Sequence, residues 1–163
     1  MSIKFKTFTQ IDGAFDEVEV IEGSPRIYCT PSGKFPSMTS ILAVITDKED
    51  GLAKWRERVG AEEADRITNE AGARGNDLHE YNEKYLLNQL DRSELKGQAK
   101  LLFNRVKRYL DEVEATIATE VPLWNADDQY AGRVDAIVMM NQHLTILDHK
   151  NSRKHLKNLL MKM

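Results

Sequence analysis

From Tyr130 to Lys150 the chain carries two strand-like runs, Tyr130 to Met140 and Leu144 to Lys150, hinged on Asn141-Gln142. A hairpin here constrains all that surrounds it, because side chains alternate along a strand and loop length sets which residues face each other. With Asn141 and Gln142 as a two-residue tip, Asp135 lies opposite Asp148 and Arg133 opposite Lys150. A four-residue loop, Met140 to His143, preserves that pairing; a three-residue loop does not. Directly opposed residues have Cβ atoms roughly 5 Å apart.

Two carboxylates at that spacing repel, and a divalent cation between them converts repulsion into coordination. Alternation puts Lys150 on the same face as Asp148 and turns His149 to the other face. Two oxygen donors beside an ammonium suit phosphodiester hydrolysis. A metal polarises a phosphate oxygen and acidifies water, while the lysine steadies the attacking water or the developing charge. The plainer alternative is an exposed sheet face on which Lys150 merely offsets two aspartates. His79 and Glu83 are four residues apart, hence on one side of a helix, and add a nitrogen and an oxygen donor. A mixed set of that kind accommodates Mg²⁺ or Mn²⁺, as one or two ions.

The rest of the chain divides by pattern. Residues 3–35 read as short strands and turns, with Phe15 to Val20 alternating and Arg26 to Cys29 closed by Pro31-Ser32-Gly33. Helices follow from Ser37, where Ser37 or Thr39 can cap the segment carrying Ile41, Leu42, Val44 and Ile45. One helix near Asp50 holds Leu52, Trp55 and Val59, and another after Gly60 holds Ala64 and Ile67. Arg74-Gly75 breaks the pattern before a helix with Leu78, His79, Glu83, Leu86 and Leu87. Asp91 and Glu94 form a capping box ahead of a longer helix whose apolar face is Leu101, Leu102, Val106, Leu110 and Val113. Strands return from Ile117, and residues 151–163 read as a basic helix. Strands, helices, a β-meander and a last helix, in that order, argue an α+β fold.

Composition sets outer limits. Among 163 residues, 41% hydrophobic and 30% charged is a globular balance. The longest apolar runs are far too short to span a bilayer, and the N-terminus lacks a signal-peptide core, so a cytoplasmic protein without a membrane partner is expected. The single cysteine, Cys29, excludes an intrachain disulfide and a four-thiolate cluster. A net charge of −3 does not announce a nucleic-acid binder. The basic residues are nonetheless grouped: Lys150, Arg153, Lys154, Lys157 and Lys162 follow Asp148 without an intervening acid, and Lys100, Arg105, Lys107 and Arg108 share a helix.

Tyr130-Ala131-Gly132-Arg133-Val134-Asp135, followed by Ile146-Leu147-Asp148-His149-Lys150, resembles the GxxD and (D/E)xK motifs of the PD-(D/E)XK nuclease superfamily. Arg74-Gly75-Asn76-Asp77-Leu78-His79 with Glu83 is similar to the RG…H…E helix of RecB-like members. The run from Arg26 through Tyr28, Pro31, Gly33 and Phe35 to Thr39 resembles the opening of phage exonucleases related to the mitochondrial genome maintenance exonuclease. The resemblance implies that His79, Asp135, Asp148 and the backbone carbonyl of His149 bind metal and that Lys150 is the catalytic lysine. It makes Glu83 a direct or water-mediated ligand and Glu120 an outer-sphere acid. Ser37, Thr39, Arg74 and Arg133 become phosphate contacts. The chain departs from that family in having His149 between acid and lysine, and in lacking a Gln…Tyr pair after Lys150.

The expected fold is therefore α+β, restriction-endonuclease-like, with a small mixed sheet whose β-meander carries the active site between flanking helices. An N-terminal β-rich extension, 1–36, precedes a nuclease core, 37–163, made of helices 37–116, the meander 117–150 and the basic helix 151–163. The sheet is expected to be incomplete at its C-terminal side, with a homo-oligomer or a partner chain covering the edge. The expected activity is metal-dependent hydrolysis of DNA, of the phage exonuclease type, in replication, recombination or DNA degradation. The alternative is a catalytically impaired or truncated nuclease-fold module that binds nucleic acid in an accessory role.

Overall fold

The computed structural model describes residues 5–13, 15–46, 48–150 and 160–162. The chain begins with four short strands, β1 (Thr9–Gln10), β2 (Glu19–Ile21), β3 (Ile27–Thr30) and β4 (Gly33–Pro36). Helices α1 (Met38–Ile45), α2 (Lys48–Val59), α3 (Ala61–Leu86) and α4 (Gly97–Leu110) follow. Strands β5 (Val113–Asn125), β6 (Tyr130–Met140), β7 (His143–Leu147) and β8 (Leu160–Lys162) complete the order. The fold is mixed α and β, with four α-helices and two small sheets among the described residues. None of these helices is long and apolar enough to cross a membrane.

The chain forms two compact units. The first comprises Met1–Gly13, Glu70–Glu120 and Val134–Met163, and the second Ala14–Asn69 and Val121–Arg133.

A five-stranded sheet in the order β1-β5-β6-β7-β8 organises the first unit. The β6–β7 hairpin follows the expected register, from Ala136 opposite Leu147 to Met140 opposite His143. Asn141 and Gln142 form its tip with φ of 51° and 62°. A two-residue turn of this hand matches the right-handed twist of the flanking strands. The ladder ends at Ala136 and Leu147, one pair short of Asp135 and Asp148.

Both flanks of this sheet differ from expectation. Thr9 and Gln10 run parallel to Ala115 and Thr116, so the first strand belongs to this sheet and not to a separate N-terminal extension. At the far side, Leu160–Lys162 pairs antiparallel with β7, Leu147 opposite Leu160 and Thr145 opposite Lys162. This chain therefore covers the β7 edge that a partner was expected to cover. The segment also ends as a strand, where the sequence suggested a helix; its residues 151–159 lie outside the described residues.

Helix α3 runs unbroken through Arg74-Gly75 for 26 residues. Glycine costs roughly 1 kcal/mol relative to alanine in a helix interior, but helix growth is cooperative and this one is anchored by packing. Its residues Leu78, Tyr81, Tyr85 and Leu86 are buried with Phe103 of α4 and Ala136 and Val138 of β6. Full burial of side chains this size stabilises by roughly 1.5–3 kcal/mol each. Its C-terminus closes on Asn88, at φ 62°. The Gln89 N–H donates to the Lys84 carbonyl and the Asn88 N–H to the Tyr85 carbonyl, satisfying the last helical acceptors. The Asn88 side chain then pairs with both backbone groups of Phe8, at 2.8 and 2.9 Å.

The expected capping box at Asp91 and Glu94 is present, on a single 3₁₀ turn, Arg92–Glu94, ahead of α4. Helix α4 buries Ala99, Phe103, Lys107 and Leu110, whereas Leu101 is exposed and Val113 already opens β5. Leu102 and Val106 pack against the same core as expected, and Lys107 joins that face through its methylene stem. Its ammonium meets Asp111 at 2.6 Å, so Lys107 does not contribute to an exposed basic stripe.

In the second unit, β2, β3 and β4 form an antiparallel sheet, with Tyr28 opposite Phe35. Tyr28, Phe35 and Ala131 make its small core, packed by Val18, Val20 and Trp124. Ser37 caps α1, accepting from the Ser40 N–H at 3.1 Å.

Candidate metal centre

Three elements of the first unit converge on one group of donors. Helix α3 brings His79, β5 brings Glu120 and β6 brings Asp135. One ligand atom from each lies within 4.8 Å of the other two, and all three residues are half-buried. When both are ionised, two carboxylates that close repel by roughly 3 kcal/mol at an effective dielectric near 20. A cation removes that repulsion. The Nδ1 of His79 stands 3.6 Å from Asp135 Oδ1. One imidazole and two carboxylates form a donor set suited to Mn²⁺ and tolerant of Mg²⁺.

Glu120 enters this set through an unusual backbone. Its φ is 52°, a left-handed conformation within a strand. For a residue with a Cβ this costs roughly 1–2 kcal/mol. Such a reversal re-aims a side chain relative to simple alternation. The sequence marks Glu120 only as an acid before the meander, and its participation beside His79 and Asp135 has no local signal.

Asp135 is the more enclosed end of the expected pair, its side chain 15% exposed against 53% for Asp148. The backbone N–H of His149 donates to its Oδ2, leaving Oδ1 directed toward His79. Asp148 is absent from the convergent set and instead accepts a 2.6 Å ion pair from Lys150 Nζ. Asp135 faces the imidazole and Asp148 faces the lysine.

His149 also departs from expectation. Its ring was expected to turn from the site, yet it packs edge-on against His79, with centroids 5.8 Å apart and planes at 89°. Strand pairing has ended at Leu147, so alternation no longer governs its direction. Burial pushes its imidazole down to about 4, against the opposing pull of the Asp135 carboxylate. The ring is neutral near pH 7. Its backbone N–H donates to Asp135; the carbonyl that the resemblance implies as a metal ligand is a separate group.

Glu83, one turn after His79, lies outside the convergent set; its Oε1 accepts from Thr119 Oγ1 at 3.2 Å. Arg74 donates to Gln98 at 3.2 Å. The remaining expected phosphate contacts belong to the second unit. Ser37 is buried, and its hydroxyl bonds Thr39 and Ser40 at 3.1 and 2.7 Å besides capping α1. Ser37 and Thr39 line a cleft of about 760 Å³ with Arg26 and Ser40, and Arg26 is paired with Glu22 at 2.9 Å. Arg133 is exposed on β6. Of the two tryptophans, Trp124 packs on the small core and donates to Ser32 Oγ at 3.2 Å. Trp55 is half-buried on α2.

Compared with family models, curated proteins and solved structures, the chain has no match among any of them.

Proposed function

We propose that this chain is a metal-dependent DNA nuclease of restriction-endonuclease-like fold, acting in the manner of a phage exonuclease. The observation that carries the reading is the convergence of His79, Glu120 and Asp135 from a helix and two strands, with Lys150 three residues past the end of β7. In this reading the three side chains hold Mg²⁺ or Mn²⁺. When bound, the cation supplies Lewis-acid polarisation of a phosphoryl oxygen and makes water more acidic.

The chain's own residues do the rest. The His149 N–H fixes the Asp135 carboxylate, and the His149 ring packs edge-on against the His79 imidazole. Lys150, paired with Asp148 at 2.6 Å, stabilises charge that develops on the phosphate oxygens. Water forms the new bond to phosphorus, one P–O ester bond breaks, and the departing sugar oxygen takes up a proton. Host or cellular cytoplasm is the compartment this reading implies.

A second reading is favoured by one observation, the placement of Asp148 outside the donor set. In it the fold binds nucleic acid in an accessory role without cutting it. Purified protein incubated with end-labelled linear and circular DNA, in Mn²⁺ or in EDTA, separates the two. Metal-dependent loss of substrate supports the nuclease. Retained affinity for DNA without cleavage in Mn²⁺ supports the accessory module.

A further inference from the structure

The left-handed residue at Glu120 calls for a restraint. A non-glycine residue persists in that conformation only where its surroundings over-determine it, and here the reversal points a carboxylate at His79 and Asp135. The adjacent residue offers a tether. Thr119 Oγ1 donates to Glu83 Oε1 at 3.2 Å, and Glu83 sits one turn along α3 from His79, on the same side of the helix. One hydrogen bond therefore ties the strand that supplies Glu120 to the helix that supplies His79.

We infer that Thr119 is a positioning residue for the metal centre, held by Glu83 so that the backbone stays reversed at Glu120 and its carboxylate stays aimed at His79 and Asp135. The inference deepens the proposed metal-dependent reading and rests on it. It also changes the part played by Glu83. Instead of ligating metal, its carboxylate accepts a hydrogen bond, a job that needs an oxygen acceptor and no charge. Outer partners of this kind typically set metal affinity over a 10–100-fold range.

Calorimetric titration of the purified full chain with Mn²⁺ tests this, together with the thermal midpoint of each variant in EDTA. Thr119→Val keeps the shape and removes the donor. It is expected to weaken Mn²⁺ binding by roughly 10–100-fold while its midpoint in EDTA stays at the wild-type value. Thr119→Ser is expected to restore binding, and Glu83→Ala to weaken it as much as Thr119→Val does. Glu83→Gln, which keeps an acceptor oxygen, is expected to bind as wild type. Thr119→Val and Glu83→Ala combined should be no worse than either alone.

Wild-type affinity in Thr119→Val overturns the inference, as does a loss in Glu83→Gln equal to that in Glu83→Ala, which would make Glu83 a ligand. His79→Ala and Asp135→Asn serve as references. If both bind Mn²⁺ as wild type, the metal-centre reading itself fails and Thr119 has nothing to position. If both lose binding and Thr119→Val does not, only the positioning role fails.

Discussion

The Asp135 carboxylate is held at one oxygen and open at the other: its Oδ2 accepts from the backbone N–H of His149, and its Oδ1 faces Nδ1 of His79 at 3.6 Å, beyond hydrogen-bond distance. Its orientation is therefore set before any ligand arrives, and preorganised donors lose less freedom on binding. Titrating Mn²⁺ should raise the thermal midpoint, with about 2.7 kcal/mol of added stability at a hundredfold excess over Kd. His79→Ala, Glu120→Gln and Asp135→Asn should each abolish most of that gain. Asp148→Ala should keep it, and a loss equal to that of Asp135→Asn would restore Asp148 to the ligand set.

Lys150 and Asp148 are exposed side chains, 64% and 53% accessible, so their pairing contributes little to stability. Lys150→Ala should leave the thermal midpoint and Mn²⁺ affinity unchanged. In the nuclease reading it should lower the rate of DNA hydrolysis by roughly 10²–10³-fold, the usual cost of losing one charge-stabilising donor. Single-turnover cleavage of a labelled duplex measures this. Undiminished cleavage would remove Lys150 from the chemistry.

Tyr85 links the buried aromatic cluster to a charged pair. Its hydroxyl donates to Asp111 at 2.6 Å, and Lys107 donates to the same carboxylate. Burial, reinforced by the bond to Asp111, holds the Tyr85 phenol above its ordinary value of 10. Burial alone would lower the Lys107 ammonium, but its bonds to Asp111 and Tyr85 leave it raised. Both groups therefore contribute stability that is fully present below their unfolded values and is lost as pH rises through the folded ones. Denaturation midpoints should fall above about pH 10. Tyr85→Phe should cost about 1.5 kcal/mol at neutral pH and flatten that alkaline decline. An unchanged alkaline limb would show that other groups set it.

The hairpin tip carries two non-glycine residues at positive φ, Asn141 and Gln142. Asparagine tolerates that region and glutamine does so poorly, while glycine is favoured at the second position. Gln142→Gly keeps the backbone N–H that donates to Glu114 at 3.2 Å. It should stabilise the protein by about 0.5–1 kcal/mol, read from urea denaturation. Destabilisation would mean that the glutamine side chain has a packing role.

Asn82 is fully buried, and neither atom of its amide has a hydrogen-bond partner among the described residues. Each polar group left in that condition costs roughly 1–3 kcal/mol. Asn82→Leu, of similar volume and flanked on α3 by core residues, should raise the urea midpoint. A marked fall would show that the amide is engaged in the folded protein.

Local rules carried much of this structure, and long-range packing supplied the rest. A two-residue loop and strict alternation suffice to pair Ala136 with Leu147, because hairpin register depends only on the turn and the strands beside it. Helical spacing likewise puts His79 and Glu83 on one side of α3, and the Asp91–Glu94 capping box is written in four consecutive residues. Three features lay beyond such rules. Helix α3 continues through Gly75 because its buried face outweighs the local cost of glycine. β1 joins the sheet through a parallel pairing more than a hundred residues away in sequence, for which no turn exists to read. Glu120 reaches His79 and Asp135 because a restrained backbone reverses at one position, a conformation intrinsically unfavourable to glutamate and sustained only by what surrounds it.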